Sequence, residues 1–206
     1  YRIGDGRRIM ARYGKRGFYM NTLFRMDRPM EKVLRKSFEL GRSFVASEYQ
    51  RQRLPLYMLW RGLMLHVTAN PDQQYLIGPV SISGNYSRFS RMLIMEFVQR
   101  NHYDGALAEY VRPRHRFRVK LDKGDSEALV EASNADLKKM DRMIADVDPN
   151  EKAMPVLLKK YLLLNGRIIG FNRDPKFNDA LDGLLLLDLN KLPENTIEDL
   201  RNGMAV

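Results

Sequence analysis

Cysteine is absent from the 206 residues. That excludes a disulfide framework, a thiolate nucleophile and a cysteine-ligated zinc site, and it fits a reducing compartment. No apolar run reaches the roughly 18 residues that a membrane-spanning helix needs. No signal-peptide pattern is visible either, so a cytoplasmic protein is expected, with membrane contact at most peripheral. Histidine occurs only three times, as His66, His102 and His115, without metal-ligand spacing. A His-x4-Asp charge relay is also missing, because Pro71, Leu107 and Lys120 stand where the acid would be. There is no Gly-x-Ser-x-Gly nucleophile elbow, no Walker loop and no dinucleotide fingerprint.

Positive charge is plentiful and unevenly placed. Residues 1–61 hold 15 Lys/Arg against 5 Asp/Glu, while residues 62–206 hold 20 of each, so the whole net charge of +10 lies in the first third. A localised positive field points to an anionic partner such as a phosphate-bearing cofactor, an acidic carrier protein, anionic lipid or nucleic acid. A solvated basic surface is the plain alternative.

Within that third, Phe38-Glu39-Leu40-Gly41-Arg42-Ser43-Phe44-Val45 reads as a strand that carries an acid and a base. Alternation puts Phe38, Leu40, Arg42 and Phe44 on one face, and Glu39, Gly41, Ser43 and Val45 on the other. A charge on each side of an apolar strand needs a partner or a cleft. Glu39 is thus a candidate general base for an amine, or one half of a structural ion pair. After it come Gln50-Arg51-Gln52-Arg53-Leu54 and Pro55, the latter opening an apolar stretch to Val67. Strand, basic loop and proline-initiated helix are the usual layout for holding a phosphate, which makes Arg51 and Arg53 candidate ligands, with a solvated basic loop as the alternative reading.

The remaining chain reads as alternating elements. Extended segments are expected at 1–4, 18–24, 75–83, 167–171 and 181–189, and helices at 55–66, from an N-cap offered by Gly84-Asn85-Tyr86-Ser87 to about Arg100, from a Ser133-Asn134 cap to Ala145, and at 154–164. Gly78-Pro79 marks a bulge or splay. The run Leu184-Leu185-Leu186-Leu187 lacks alternation and predicts a strand buried on both faces. Residues 103–125 read as irregular and basic, centred on Arg112-Pro113-Arg114-His115-Arg116-Phe117-Arg118, a cluster that is a plain basic loop in the favoured reading and a contact for nucleic acid or lipid headgroups in the other. The fold class is α/β, a mixed central sheet flanked by helices.

Several blocks resemble the bacterial N-acyltransferases that make ornithine and glycine lipids, a family also labelled hemolysin-like. They are Glu39-Leu40-Gly41-Arg42-Ser43, loop 46–54, Leu59-Trp60-Arg61-Gly62, residues 77–83, 154–161 and 170–178, and Leu181-Asp182-Gly183. The Glu-x-x-Arg pair also resembles that of the acyl-homoserine-lactone synthases. The resemblance covers most of residues 1–189. It implies a Gcn5-related N-acyltransferase-like domain over 1–189 with its N-terminal part missing, followed by a tail, 190–206. The start at Tyr1 fits a fragment, and relatives often carry a phospholipid-type acyltransferase domain upstream.

The implied activity is transfer of a 3-hydroxy-fatty acyl group from acyl carrier protein to an amino-acid amine. No tightly bound cofactor is implied; the co-substrate would be the acyl-phosphopantetheine thioester, with CoA as the alternative carrier. Glu39 and Arg42 would be the catalytic pair, and Arg2, Arg51, Arg53 and Ser81 would bind substrate or carrier. Direct attack of a neutral amine needs no covalent intermediate, which suits a chain without cysteine or serine elbow. Two rival readings are a non-catalytic module that docks carrier protein or anionic membrane, and a nucleic-acid-binding protein, which the absence of any recognisable module disfavours.

Overall fold

A computed structural model describes residues 1–50, 52–118, 123–150, 152–194 and 196. The chain opens with β1 (Arg2–Asp5) and α1 (Gly6–Tyr13), and two 3-10 turns then lead to β2 (Phe24–Met26). Next come α2 (Met30–Arg35), β3 (Ser37–Gly41), α3 (Arg53–Thr68), β4 (Tyr75–Ile82), α4 (Arg88–Asn101), α5 (Gly105–Ala108) and β5 (Val111–Pro113). The last third holds α6 (Lys123–Ala132), α7 (Leu137–Val147), α8 (Val156–Leu163), β6 (Arg167–Asp174) and β7 (Ala180–Asp188).

Five strands form one mixed sheet in the order β1-β3-β4-β7-β6, and β2 pairs with β5 in a small second sheet. Only the β3–β4 pair of the large sheet is parallel. This is the α/β architecture expected, a five-stranded mixed sheet with helices on its faces.

The leucine run of β7 explains why the sheet has two cores. Leu185 and Leu187 pack with Trp60, Leu93, Phe97, Leu158 and Tyr161 on one face, while Leu184 and Leu186 pack with Met20, Phe24, Met30 and Leu34 on the other. Each such side chain contributes roughly 1.5–3 kcal/mol by leaving water, so a central strand can afford no polar residue without a reason.

Helix α3 buries Trp60, Leu63, Met64 and Val67, an i, i+3, i+4, i+7 stripe. Pro55 lies in its first turn, where its missing N–H is harmless. In α4, Ser87 caps the start by accepting from the Ser90 N–H at 2.9 Å.

The structure corrects several expectations. The strand at 38–45 stops at Gly41, because Arg42 takes a left-handed φ of 49° that no strand accommodates. Phe44 therefore does not continue the alternation and is exposed. Residues 19–22 form a 3-10 turn in place of an extended segment. Asp136, not Ser133-Asn134, caps α7: its carboxylate accepts from the Lys138 and Lys139 N–H groups, while Asn134 and Ala135 turn left-handed ahead of it. The basic stretch after residue 103 holds α5 and β5. Most of the expected C-terminal tail lies outside the described residues.

Candidate functional site

Where β3 and β4 part, the sheet opens. Their parallel ladder runs from Ser37–Tyr75 to Glu39–Ile77 and goes no further. Gly78 stands at the parting point, and a Cβ there would lie 2.2 Å from the Leu40 carbonyl oxygen, inside contact distance. Glycine is required for this approach, and Pro79 next to it brings no N–H to the ladder. Beyond them lies a cleft of about 600 Å³, walled by Leu40–Ser43 on one side, Gly78–Ser81 on the other, and Tyr1 and Tyr161 from β1's leading end and α8.

A polar row crosses three strands at this cleft. Ser81 of β4 is opposite Asp182 of β7, which is opposite Asn172 of β6. Cross-strand partners share a face, so the three side chains meet. The Ser81 hydroxyl donates to Asp182 Oδ1 at 2.6 Å. Asn172 is committed elsewhere: its Oδ1 accepts from the His115 N–H and its Nδ2 donates to the Arg173 carbonyl.

Asp182 is 2 % exposed, and its Oδ2 is buried without a hydrogen-bond partner. Burial first, and then the nearby charge of Asp174, push its pKa up to about 6, against the opposing pull of Ser81 and of Asn172 beside it. Asn172 helps the charged form from the next strand but leaves Oδ2 without a full bond. A carboxylate that titrates near neutrality beside a cleft suits proton transfer.

Tyrosines complete the cleft. The Tyr1 and Tyr161 hydroxyls share a hydrogen bond of 2.5 Å, and burial raises both pKa values, Tyr161's strongly. Both therefore hold their protons at neutral pH. Tyr19 is also raised, by burial and then by the charges of Asp174 and Asp182, while Arg42 acts in the opposite sense.

The residues expected from sequence separate here. Ser81 and Arg42 line the cleft, Arg42 at its exposed mouth. Glu39 is not among the residues lining it. Its carboxylate is buried and accepts two main-chain N–H groups, Met20 at 2.9 Å and Tyr19 at 3.1 Å. Burial raises its pKa, opposed by those two hydrogen bonds and by the charge of Arg2. So Glu39 holds the 19–22 turn against the sheet, and Tyr19 and Leu23 around that turn line the cleft. Arg42 follows the end of β3, and its left-handed φ of 49° takes it out of that strand's alternation. Arg2 is exposed on β1, opposite Gly41. Arg51 lies outside the described residues, and so does the side chain of Arg53, whose backbone begins α3. Asp182 and Asp174 were not singled out from sequence; the available signal was a lone carboxylate inside a leucine-rich strand.

Residues 1–61 match the acetyltransferase (GNAT) domain family. The chain is similar to a glycine N(alpha)-acyltransferase of Phocaeicola vulgatus, 26 % identical over 176 residues, which is 81 % of this chain and 52 % of that protein. It is similar also to a glycine N(alpha)-acyltransferase of Bacteroides thetaiotaomicron, 26 % identical over 179 residues, 82 % of this chain and 52 % of that protein. The chain thus spans about half the length of these relatives. No solved structure matches it. The match over the first 61 residues and the similarity to these two proteins accompany an α/β fold with a five-stranded mixed sheet. Among the described residues, no helix is long and apolar enough to cross a membrane.

Proposed function

We propose that this domain is an N-acyltransferase that moves a fatty acyl group from a phosphopantetheine thioester to the amine of an amino acid, in the making of an aminolipid. The observation that carries the reading is the cleft between the splayed parallel strands, with Asp182 on its wall titrating near pH 6. An extended pantetheine arm fits an opening left by a strand that has lost its neighbour. A second, shallower hollow of about 310 Å³, lined by Phe44, Val45, Tyr49, Pro55 and Met58, favours a long acyl chain over an acetyl group.

Asp182, ionised above pH 6, accepts a proton from the incoming ammonium group and frees its lone pair. The neutral amine attacks the thioester carbonyl, a C–N bond forms, and the C–S bond breaks as the tetrahedral species collapses. Main-chain N–H groups of β4 past the end of the β3 ladder favour the oxyanion. The proton shed by the attacking nitrogen passes through the Tyr1–Tyr161 hydroxyl pair to the departing thiolate, so both tyrosines end the step neutral. Arg42 at the mouth pairs with the carboxylate of the acceptor amino acid, and Glu39 positions Tyr19 through the turn it anchors.

Acyl carrier protein is the favoured donor because the basic first third of the chain complements an acidic carrier; CoA is the alternative. Glycine is the first acceptor to test, given the relatives' names. The assay incubates the protein with a 3-hydroxyacyl carrier protein or the matching CoA thioester, plus glycine or ornithine. Mass spectrometry should find the N-acyl amino acid with release of free thiol. Thioester loss without any N-acyl product from either donor would refute the proposal.

A further inference from the structure

Around the β6–β7 hairpin, arginines from three separate segments converge. Arg88 and Arg91 come from the first turns of α4, Arg116 and Arg118 from the segment after β5, and Arg173 from β6. They line a pocket of about 320 Å³ whose one carboxylate among the described residues is that of Asp179. Asp179 is already engaged: its Oδ1 lies 3.8 Å from Arg173 Nε, and its main-chain carbonyl accepts from Arg91 Nη1 at 2.7 Å.

Arg91 is the centre of the arrangement. It is only 7 % exposed, its guanidinium stands 5.3 Å from the centroid of the Phe117 ring, and its Nε is buried without a hydrogen-bond partner. An arginine remains charged in such a place, so a buried donor without an acceptor is a standing demand for an anion. The sequence cluster 112–118 divides around this pocket. Arg112 pairs with Asp27 at 3.6 Å and Arg114 donates to the Asn21 carbonyl at 2.9 Å. No carboxylate among the described residues pairs with Arg116 or Arg118.

The start of α4 does not supply the site's donors. Asp148 accepts from the Ser87 N–H and the Ser90 hydroxyl there, so that end already has its own carboxylate. The guanidinium groups do the work. A carboxylate satisfies one arginine fork, whereas a tetrahedral phosphate offers several oxygens to forks arriving from different directions.

We infer that the pocket formed by Arg88, Arg91, Arg116, Arg118 and Arg173 is a phosphate-binding site, separate from the cleft between β3 and β4. Its ligand is a phosphate group borne by a small soluble molecule or by a lipid headgroup at a membrane surface. Asp174 faces the cleft from the strand position next to Arg173, and Phe177 faces it from the same hairpin turn that carries Asp179, so one hairpin borders both sites.

The test titrates the intact protein at low salt with inorganic phosphate by calorimetry. In parallel it measures sedimentation with phosphatidylcholine vesicles, with and without phosphatidic acid. The double variant Arg116→Gln/Arg118→Gln changes two exposed side chains and should keep the wild-type circular dichroism and urea midpoint. It should bind phosphate at least about tenfold more weakly, as expected on losing charge-assisted hydrogen bonds. Arg12→Gln, an exposed arginine on α1, should bind as wild type. Saturable phosphate binding without vesicle binding assigns a soluble phosphate ester. Vesicle binding that requires phosphatidic acid and is displaced by phosphate assigns a headgroup. The inference is overturned if neither probe binds, if the double variant binds as wild type does, or if Arg12→Gln weakens binding equally.

Discussion

Replacing Asp182 with asparagine removes a charge that the fold resists. An aspartate lifted from 3.8 to about 6 is stabilised in its protonated form relative to the unfolded chain, by about 3 kcal/mol when fully protonated. The sign follows from proton uptake. Between pH 4 and pH 6 the folded protein holds the Asp182 proton and the unfolded chain does not. The stabilisation is therefore fully present below pH 4 and is lost as pH rises through 6. Above pH 7 the wild type carries an ionised, buried carboxylate whose Oδ2 has no partner. Asp182→Asn keeps an oxygen to accept from the Ser81 hydroxyl and has no such pH dependence. Urea unfolding of both proteins at half-unit steps from pH 4 to pH 8 isolates the effect, because all other titrating groups are shared. The difference in unfolding free energy should move by about 2.5 kcal/mol across that range in favour of the variant. Parallel curves from pH 4 to pH 8 would refute the account of Asp182.

Three further changes probe the walls of the site. Glu39→Gln leaves one oxygen where two main-chain N–H groups now bond, and should lower unfolding free energy by about 1–3 kcal/mol at pH 8 in urea melts; an unchanged midpoint would argue against its anchoring role. Arg42→Gly relieves a left-handed backbone at φ 49° and should gain up to about 1 kcal/mol of stability while raising the KM for the amino-acid acceptor; a lower stability with unchanged KM would contradict both parts. Gly78→Ala drives a methyl into the Leu40 carbonyl and should lower stability by about 1–3 kcal/mol in thermal unfolding, with reduced transfer.

Local chemistry carried much of the fold into the sequence. The apolar stripe of α3, the Ser87 cap and the unbroken leucines of β7 each follow from rules that act over a few residues, and each is found in the structure. Gly78-Pro79 also marked the splay correctly. What escaped was non-local. The end of β3 depends on Arg42 turning left-handed, which no pattern of neighbours dictates. The engagement of Glu39 depends on a turn 20 residues earlier folding under the sheet. The polar row depends on the register of three strands that are about 100 residues apart along the chain at their widest, so Asp182 stood in the sequence as one acid among leucines. Its raised pKa exists only after burial. The arginine cluster after residue 111 was visible as composition, but only the fold separates the arginines with partners from those facing the pocket.

The most direct measurement of the central claim compares single-turnover N-acyl transfer at pH 8 for wild type, Asp182→Asn and Glu39→Gln, each with saturating acyl donor and acceptor. With Asp182 as the base, Asp182→Asn should slow product formation by about a hundredfold or more, and Glu39→Gln should retain much of the rate in its folded fraction. A fully active Asp182→Asn beside an inactive but folded Glu39→Gln would contradict the account and return the catalytic role to Glu39.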